Sequence, residues 1–145
     1  MKKILVINGP NINMLGLREL DVYGSQSYTE LLAFIEKAAL EAGMEVKCFQ
    51  SNSEGAIVDE IQLAYGKFDG IVINPAAYTH TSIAIPDALK AVGIPAVEVH
   101  LSDIRKREIY RQTSFTSEAC HETVVGKGFE GYRVAIIILK AILDS

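Results

Sequence analysis

The chain has 145 residues, 49% hydrophobic and 22% charged, which is enough for one globular domain with a substantial core. Its net charge of -4 argues against a nucleic-acid-binding protein, because contacts with phosphates need a basic patch. Cys48 and Cys120 form neither a metal motif nor a disulfide framework, which favours reduced thiols in a cytoplasmic protein. We find no signal peptide before the first predicted strand, and the apolar run at 134–139 is too short to span a bilayer.

Apolar runs alternate with amphipathic stretches along the chain. Residues 4–7 are a continuous apolar run, typical of a strand covered on both faces. Apolar residues at helical spacing follow at 28–42 and at 54–65, and a glycine lies close to the end of each segment. The other predicted strands are 45–50, 71–73, 95–99 and a short one at 123–125, and the other predicted helices are 81–92 and 132–143.

This alternation predicts an α/β protein in which helices cover both faces of a parallel sheet. Five strands favour a flavodoxin-like three-layer sandwich of strand order 2-1-3-4-5, formed by a single domain over residues 1–145. Two connections, 10–27 and 101–121, are much longer than the others. Long connections in a compact domain are usually functional, so we expect the chemistry of the protein there.

Polar residues follow three of the predicted strands. Ligands of open α/β sheets bind outside the carboxyl ends of the strands, at the point where the strand order reverses. With the predicted order, that point lies between strands one and three, and strand four is next to it. The three segments that meet there are Asn-Gly-Pro-Asn at 8–11, Asn-Pro-Ala-Ala-Tyr-Thr-His-Thr-Ser at 74–82 and Glu-Val-His-Leu-Ser-Asp at 98–103. The sequence therefore predicts a pocket rich in hydrogen-bonding groups.

Each of these features also has a structural interpretation. Gly-Pro-Asn is a common turn sequence, and Thr and Ser after strand three are common helix caps. His100 can be a buried polar residue whose partner is Glu98, two residues earlier on the same strand face. Tyr23 can be a hydrophobic side chain that covers the sheet, and Arg18 can be a cation on the surface. His121 is interpreted as structural, and the basic run 105–107, which has acids on both sides, as a solvated helix face.

Five blocks of the sequence resemble the type II 3-dehydroquinate dehydratase (type II dehydroquinase) family. In chain order they read INGPNINMLGLRE, VYG, INPAAYTHTSIAIPDAL, VEVHLSDI and GYRVAI, so the resemblance covers nearly the whole chain. It implies a flavodoxin-like fold and a lyase of the shikimate pathway that makes 3-dehydroshikimate from 3-dehydroquinate by trans-elimination of water through an enolate. It also implies a cytoplasmic homododecamer of four trimers that works without a cofactor, in aromatic amino acid biosynthesis or, as in some members of the family, in quinate breakdown.

The resemblance also assigns roles to residues. It implies that Tyr23 abstracts a proton, that Arg18 favours the Tyr23 phenolate and that Asn11 positions a water near the enolate oxygen. His100 would be the general acid, oriented by Glu98. The residues implied in substrate binding are Asn74, His80, Arg111, the backbone of Leu101 and Ser102, and Asp87, which would reach the site of a neighbouring subunit.

Three positions depart from the usual pattern of the family. Ala76 stands where glycine usually follows Asn-Pro, Leu20 where proline often follows Arg-Glu, and Asp103 where asparagine is common. None of these changes removes a reacting group. Ala76 narrows the conformational freedom of the backbone beside Asn74.

The chemistry gives a reason for a cation near a phenol. A free tyrosine has a pKa of about 10, and a cation within about 4–6 Å favours the charged form. Lowering that pKa by about two units is worth about 2.7 kcal/mol. An imine mechanism would need a lysine, and none lies in the three strand-end segments. We also find no metal-ligand spacing and no glycine-rich phosphate loop, so we expect neither a metal nor a nucleotide cofactor.

Two other classes of protein fit a flavodoxin-like fold. One is a non-catalytic module that binds a small anion or polyol in the same pocket. The other is a phosphorelay receiver, which needs a carboxylate cluster at the end of strand one, where this chain has Asn-Gly-Pro-Asn.

Overall fold

The computed structural model describes residues 1–17 and 26–145. The strands are β1 (Lys3–Asn8), β2 (Glu45–Gln50), β3 (Gly70–Asn74), β4 (Ala96–Val99) and β5 (Glu122–Val124). The α-helices are α1 (Tyr28–Glu41), α2 (Glu54–Leu63), α3 (Ala84–Val92) and α4 (Glu130–Asp144). Short 3-10 helices lie in the connections, at Ile12–Met14, Ala76–His80, Ile104–Lys106, Ile109–Arg111 and Thr116–Ala119.

The five strands form one parallel sheet in the order β2-β1-β3-β4-β5, so the predicted fold class and strand order are confirmed. The predicted elements also match the observed ones, with small differences at their ends. The clearest difference is the helix predicted at 81–92, which begins only at Ala84. The Ser82 hydroxyl accepts a hydrogen bond from the Ile85 N–H at 3.1 Å, so this serine precedes the helix instead of belonging to it.

The alternation of side chains along the strands produces two separate apolar cores. In β1, Ile4 and Val6 face one side of the sheet, whereas Leu5 and Ile7 face the other. The first core is completed by α1 and α4, and the second by α2 and α3. All four of these β1 side chains have no solvent exposure, which explains the uninterrupted apolar run in the sequence.

The carboxyl ends of β1 and β3 are in close contact. Asn8 and Asn74 are partners in the strand register, and the Gly9 N–H donates to the Asn74 carbonyl at 2.8 Å. A Cβ atom on Gly9 would lie 2.5 Å from the Pro75 carbonyl oxygen, so only glycine fits there without moving the backbone. This contact brings the two polar segments after β1 and β3 together.

Among the described residues, no helix has the length and apolar character that a membrane span requires. The longest, α4, has 15 residues and packs one face against the sheet through Tyr132, Ile136 and Leu139.

The start of α1 is capped by Ser27, whose hydroxyl accepts from the Glu30 N–H at 3.1 Å.

Candidate active site

A cavity of about 90 Å³ opens at the carboxyl edge of the sheet, where the predicted switch point lies. We call it the strand-end cavity. It is lined by Pro10, Asn11, Ile12, Asn74, Ala76, Ala77, His80, His100, Leu101, Ser102, Ile104, Arg107 and Arg111.

His100 and Glu98 form a buried pair beside this cavity. His100 follows β4 and is 4% exposed, whereas Glu98 lies within β4 and is fully buried. His100 Nε2 is hydrogen-bonded to a carboxylate oxygen of Glu98, because residues two apart on a strand share a face. Since an ionised carboxylate only accepts hydrogen bonds, Nε2 carries a proton and Nδ1 is the ring nitrogen left for a ligand. In the neutral ring Nδ1 is then an acceptor, and only the doubly protonated ring can give a proton from Nδ1 to a bound molecule.

A buried chain of hydrogen bonds joins the ends of β1 and β3. The hydroxyl of Tyr132, on α4, donates to Asn8 Oδ1 at 2.6 Å and accepts from Asn74 Nδ2 at 3.0 Å. The Ala76 N–H donates to Asn74 Oδ1 at 3.1 Å. Hydrogen bonds at both its nitrogen and its oxygen therefore fix the orientation of the Asn74 amide. Asn74 also lines the cavity, so the cavity presents an amide of fixed orientation.

Two non-glycine residues of this site adopt a left-handed backbone conformation: Asn11 with φ 70° and Ala76 with φ 51°. Asparagine tolerates this region well, whereas for alanine it costs about 1–2 kcal/mol. The left-handed conformation of Ala76 directs its N–H to Asn74 Oδ1, and this hydrogen bond helps to orient the Asn74 amide. Ala76 therefore holds a backbone conformation that glycine adopts without this cost.

We predict that Ala76→Gly stabilises the fold. Glycine removes about 1–2 kcal/mol of left-handed strain from the folded state. Its greater freedom in the unfolded chain opposes this gain by about 0.4–1 kcal/mol, so the free energy of unfolding should rise by about 0.5–1 kcal/mol. The matched control is Ala77→Gly, whose position has no positive φ and should lose stability. Urea unfolding of both variants at one protein concentration measures the difference. Equal destabilisation by the two substitutions would show that Ala76 is not strained.

His80 is held by the connection that follows β4. Its Nδ1–H donates to the Thr113 carbonyl at 2.7 Å. Burial lowers the pKa of His80 below its usual 6.5; the nearby His100 and Arg111 lower it further, and the Thr113 carbonyl and Glu98 oppose the shift. The ring is therefore neutral at pH 7, and its Nε2 is an acceptor for a hydroxyl of a bound molecule.

The cavity has two guanidinium groups in its lining, from Arg107 and Arg111. Arg111 Nε lies 2.7 Å from Glu108 Oε2, without the alignment of a hydrogen bond, and Arg107 Nε lies 4.0 Å from the same oxygen. Glu108 is half exposed, so it screens Arg111 only in part. The lining favours a ligand with a negative charge.

The interpretation of residues 105–107 as a solvated face is wrong for Arg107. The side chain of Arg105 is 71% exposed, as expected, but that of Arg107 is 13% exposed and lines the cavity. The reason is local: the 3-10 helix Ile104–Lys106 ends before Arg107, whose extended backbone turns its side chain inward.

Asp103 caps this short helix by accepting from the Arg105 N–H at 3.0 Å, and its hydrogen bonds with Arg105 hold the pKa of the Asp103 carboxyl below its usual value.

The backbone of Leu101 and Ser102 is fixed through its carbonyl groups. Gly128 N–H donates to the Leu101 carbonyl at 3.0 Å, and Gly126 N–H donates to the Ser102 carbonyl at 3.1 Å. Both glycines have positive φ, which lets the turn after β5 approach so closely. Neither the Leu101 N–H nor the Ser102 N–H donates to another residue in the described part of the chain. These two donors suit a carboxylate.

Other reactive side chains contribute little to this edge of the sheet. Burial raises the pKa of both thiols, Cys48 and Cys120, to about 12, so neither supplies a thiolate near neutral pH. Both cysteines are free. Over residues 1–17 and 26–145, no three His, Cys, Asp or Glu side chains cluster closely enough to hold a metal ion.

The structure places most of the predicted site residues together. Seven of them line the cavity, and Glu98 lies behind His100; the seven are Asn11, Asn74, His80, His100, Leu101, Ser102 and Arg111. Asp87 lies on α3 with an exposed side chain and does not line the cavity of its own chain. Arg18 and Tyr23 lie outside the described residues, so their proposed roles stay predictions.

The fold and the cavity define an α/β protein of flavodoxin-like order with a basic, histidine-containing site at its switch point. The family model described as "Dehydroquinase class II" matches residues 2–140. The chain therefore belongs to the class II dehydroquinase family.

Individual relatives agree with this assignment. The chain is 55% identical over 143 residues to the 3-dehydroquinate dehydratase of Clostridium acetobutylicum, covering 99% of each chain. It is 54% identical over 145 residues to that of Caldicellulosiruptor bescii, covering 99% of this chain and 100% of the relative. The crystal structure of type II dehydroquinase from Butyrivibrio crossotus has a TM-score of 0.93 and 51% identity, over 95% of this chain and 97% of that one.

Proposed function

We propose that this chain is a hydro-lyase, a type II 3-dehydroquinate dehydratase that makes 3-dehydroshikimate. The observation that carries the proposal is the His100–Glu98 pair beside a cavity with two guanidinium groups, in a chain whose relatives have this activity in their names. The reaction removes a proton from the carbon next to a ketone and expels the β-hydroxyl as water. It needs a base, an acid and a group that holds the enolate charge, and it needs no cofactor.

The base in this scheme is Tyr23 as its phenolate. Arg18 is five residues away in the sequence, and its guanidinium would hold the phenolate as an oxyanion partner. The phenolate takes the proton from carbon, and the electron pair of that C–H bond moves toward the ketone oxygen. Asn11, which lines the cavity, would hold a water that donates to the enolate oxygen so formed.

The acid in this scheme is His100. The buried Glu98 accepts a hydrogen bond from its Nε2–H, and in the doubly protonated ring Nδ1–H would donate its proton to the leaving hydroxyl. The enolate collapses, the C–O bond breaks, and water leaves on the face opposite to the abstracted proton. No covalent bond to the enzyme forms at any step.

Substrate binding would use the rest of the cavity. The N–H groups of Leu101 and Ser102 and the two guanidinium groups suit the carboxylate, whereas His80 Nε2 and the Asn74 amide suit the ring hydroxyls. Asp87, exposed on α3, would reach the cavity of a neighbouring copy in a trimer, and four trimers would form a dodecamer. We also propose that the chain acts as one catalytic domain, in the cytoplasm and in the shikimate pathway.

The experiment that tests this function is direct. Purified protein is mixed with 3-dehydroquinate, and the ultraviolet absorbance of the conjugated enone product is followed. A steady rise supports the dehydratase. Tight binding of 3-dehydroquinate with no product would instead identify a binding module. Borohydride added during turnover should leave the enzyme active, whereas a reduced lysine adduct would contradict the imine-free scheme.

We predict that Arg18→Ala lowers kcat by about 100-fold at neutral pH, because the Tyr23 pKa would rise by about two units without its cation. The limb of the pH–rate profile that reports Tyr23 ionisation should move to higher pH, so part of the lost activity returns in alkaline buffer. The matched control is Arg105→Ala, which removes a cation that is 71% exposed outside the cavity lining. An unchanged profile in the Arg18 variant would contradict the role given to Arg18.

A further inference from the structure

The connection between β4 and β5 makes three consecutive contacts at residues 113–115. The Thr113 carbonyl accepts from His80, and the Phe115 N–H donates to the Thr79 carbonyl at 3.0 Å. Between them, the hydroxyl of Ser114 reaches the carboxylate of Glu98, at 3.1 Å from Oε2 and 3.3 Å from Oε1. The 113–115 segment thus joins the residues after β3 to the buried acid of β4.

The direction of the Ser114 hydrogen bond is determined by its second partner. The Ser117 N–H donates to Ser114 Oγ at 3.1 Å, so this oxygen accepts on one side. Its own proton is then directed at Glu98, which as a carboxylate can only accept. Ser114 is therefore a fixed donor to Glu98 and not a freely rotating hydroxyl.

Glu98 is fully buried, so its carboxylate oxygens need hydrogen-bond donors from the protein. In the described part of the chain it accepts from His100, from Ser114 and, at 3.4 Å, from Thr123 Oγ1 on β5. Removing a donor would leave part of a buried carboxylate unsatisfied, and the carboxylate would turn or draw closer to another partner. Either change alters the orientation of the His100 ring.

We infer that Ser114 is a positioning residue for His100 and acts through Glu98. Because the same segment holds His80 and begins two residues after Arg111, it joins the substrate-binding side of the cavity to the acid. This inference rests on the proposed function, in which His100 protonates the leaving group. A general acid contributes about 10²–10⁴-fold, so a misdirected acid should lose a substantial part of that factor.

The test compares four variants. Ser114→Ala should lower kcat about tenfold and leave KM nearly unchanged, since the acid acts after binding. Ser114→Thr keeps the hydroxyl and should recover most of the activity. Thr123→Val removes the more distant donor from a different strand, so a smaller loss of kcat is expected. Thr116→Val is the matched control: its hydroxyl is buried in the same connection and has no hydrogen-bond partner in the described part of the chain, so kcat should not change.

A second measurement does not depend on turnover. The chain has 3 histidines, so nitrogen NMR of protein labelled only at histidine gives few resonances, and loss of the His100 signals in His100→Gln assigns them. The His100 Nε2 resonance should shift in Ser114→Ala and Thr123→Val but not in Thr116→Val. A KM increase at unchanged kcat, or an unshifted His100 resonance in Ser114→Ala, would overturn the inference. If the wild-type protein does not turn over 3-dehydroquinate, the proposed function fails, and the NMR result still decides whether Ser114 positions His100.

Discussion

Tyr23→Phe is expected to lower kcat for 3-dehydroquinate by about 10²–10⁴-fold while KM changes little. Phenylalanine has nearly the same shape as tyrosine, so the variant removes only the oxygen that takes the proton. A general base contributes about 10²–10⁴-fold, equivalent to about 3–5 kcal/mol of transition-state stabilisation. Initial rates from the absorbance of the enone product measure the effect.

The matched control for this variant is Tyr65→Phe. Tyr65 is 70% exposed and does not line the strand-end cavity, so loss of its hydroxyl should not change kcat. Turnover of Tyr23→Phe within a few-fold of the wild-type value would exclude Tyr23 as the base. The base would then have to be sought among the cavity-lining groups, of which His80 is neutral at pH 7 and accepts through Nε2.

His100→Gln is the second substitution with a large expected effect. Glutamine can still donate from its amide to the buried Glu98 carboxylate, so the fold should be retained, but it cannot give a proton to a leaving hydroxyl. We expect kcat to fall by about 10²–10⁴-fold, the usual contribution of a general acid. Steady-state kinetics measure the loss, and circular dichroism with thermal unfolding checks that the variant is folded.

The control for His100→Gln is the same change at His121. This side chain is exposed and outside the cavity lining, and the backbone N–H of His121 donates to the Ala96 carbonyl at 2.8 Å. His121→Gln should therefore be fully active. If both histidine variants kept wild-type turnover, the leaving hydroxyl would have to depart without a protein acid, and the role of the Glu98 pair would be wrong.

The fold was predictable because its signals are local. Alternating apolar runs and amphipathic stretches are sufficient to identify four helices and five strands, and short connections make the strands parallel. The contact between Glu98 and His100 at the end of β4 was equally predictable, because residues two apart on a strand share a face. The ends of elements were less predictable, as at the start of α3, because side-chain caps such as Ser82 decide them.

The contacts that complete the site are long-range, and sequence reasoning missed them. Ser114 lies 16 residues from Glu98, and Tyr132 lies 58 residues from Asn74 and 124 from Asn8. The one available signal for Tyr132 was a hydroxyl inside an apolar helical run, since a buried tyrosine hydroxyl needs a partner. For Arg107 the charge run was misleading, because the backbone turns at the end of a short 3-10 helix.

The most direct test of the account is the ionisation of Tyr23 itself. The near-ultraviolet absorbance of tyrosinate is titrated in the wild-type protein and in Tyr23→Phe, both with product bound, and the difference between the two curves isolates one phenol. The account predicts that this phenol ionises well below the ordinary pKa of about 10 and that Arg18→Ala moves it back up. A Tyr23 that ionises at or above about 10 in the liganded enzyme, with undiminished turnover, would contradict it.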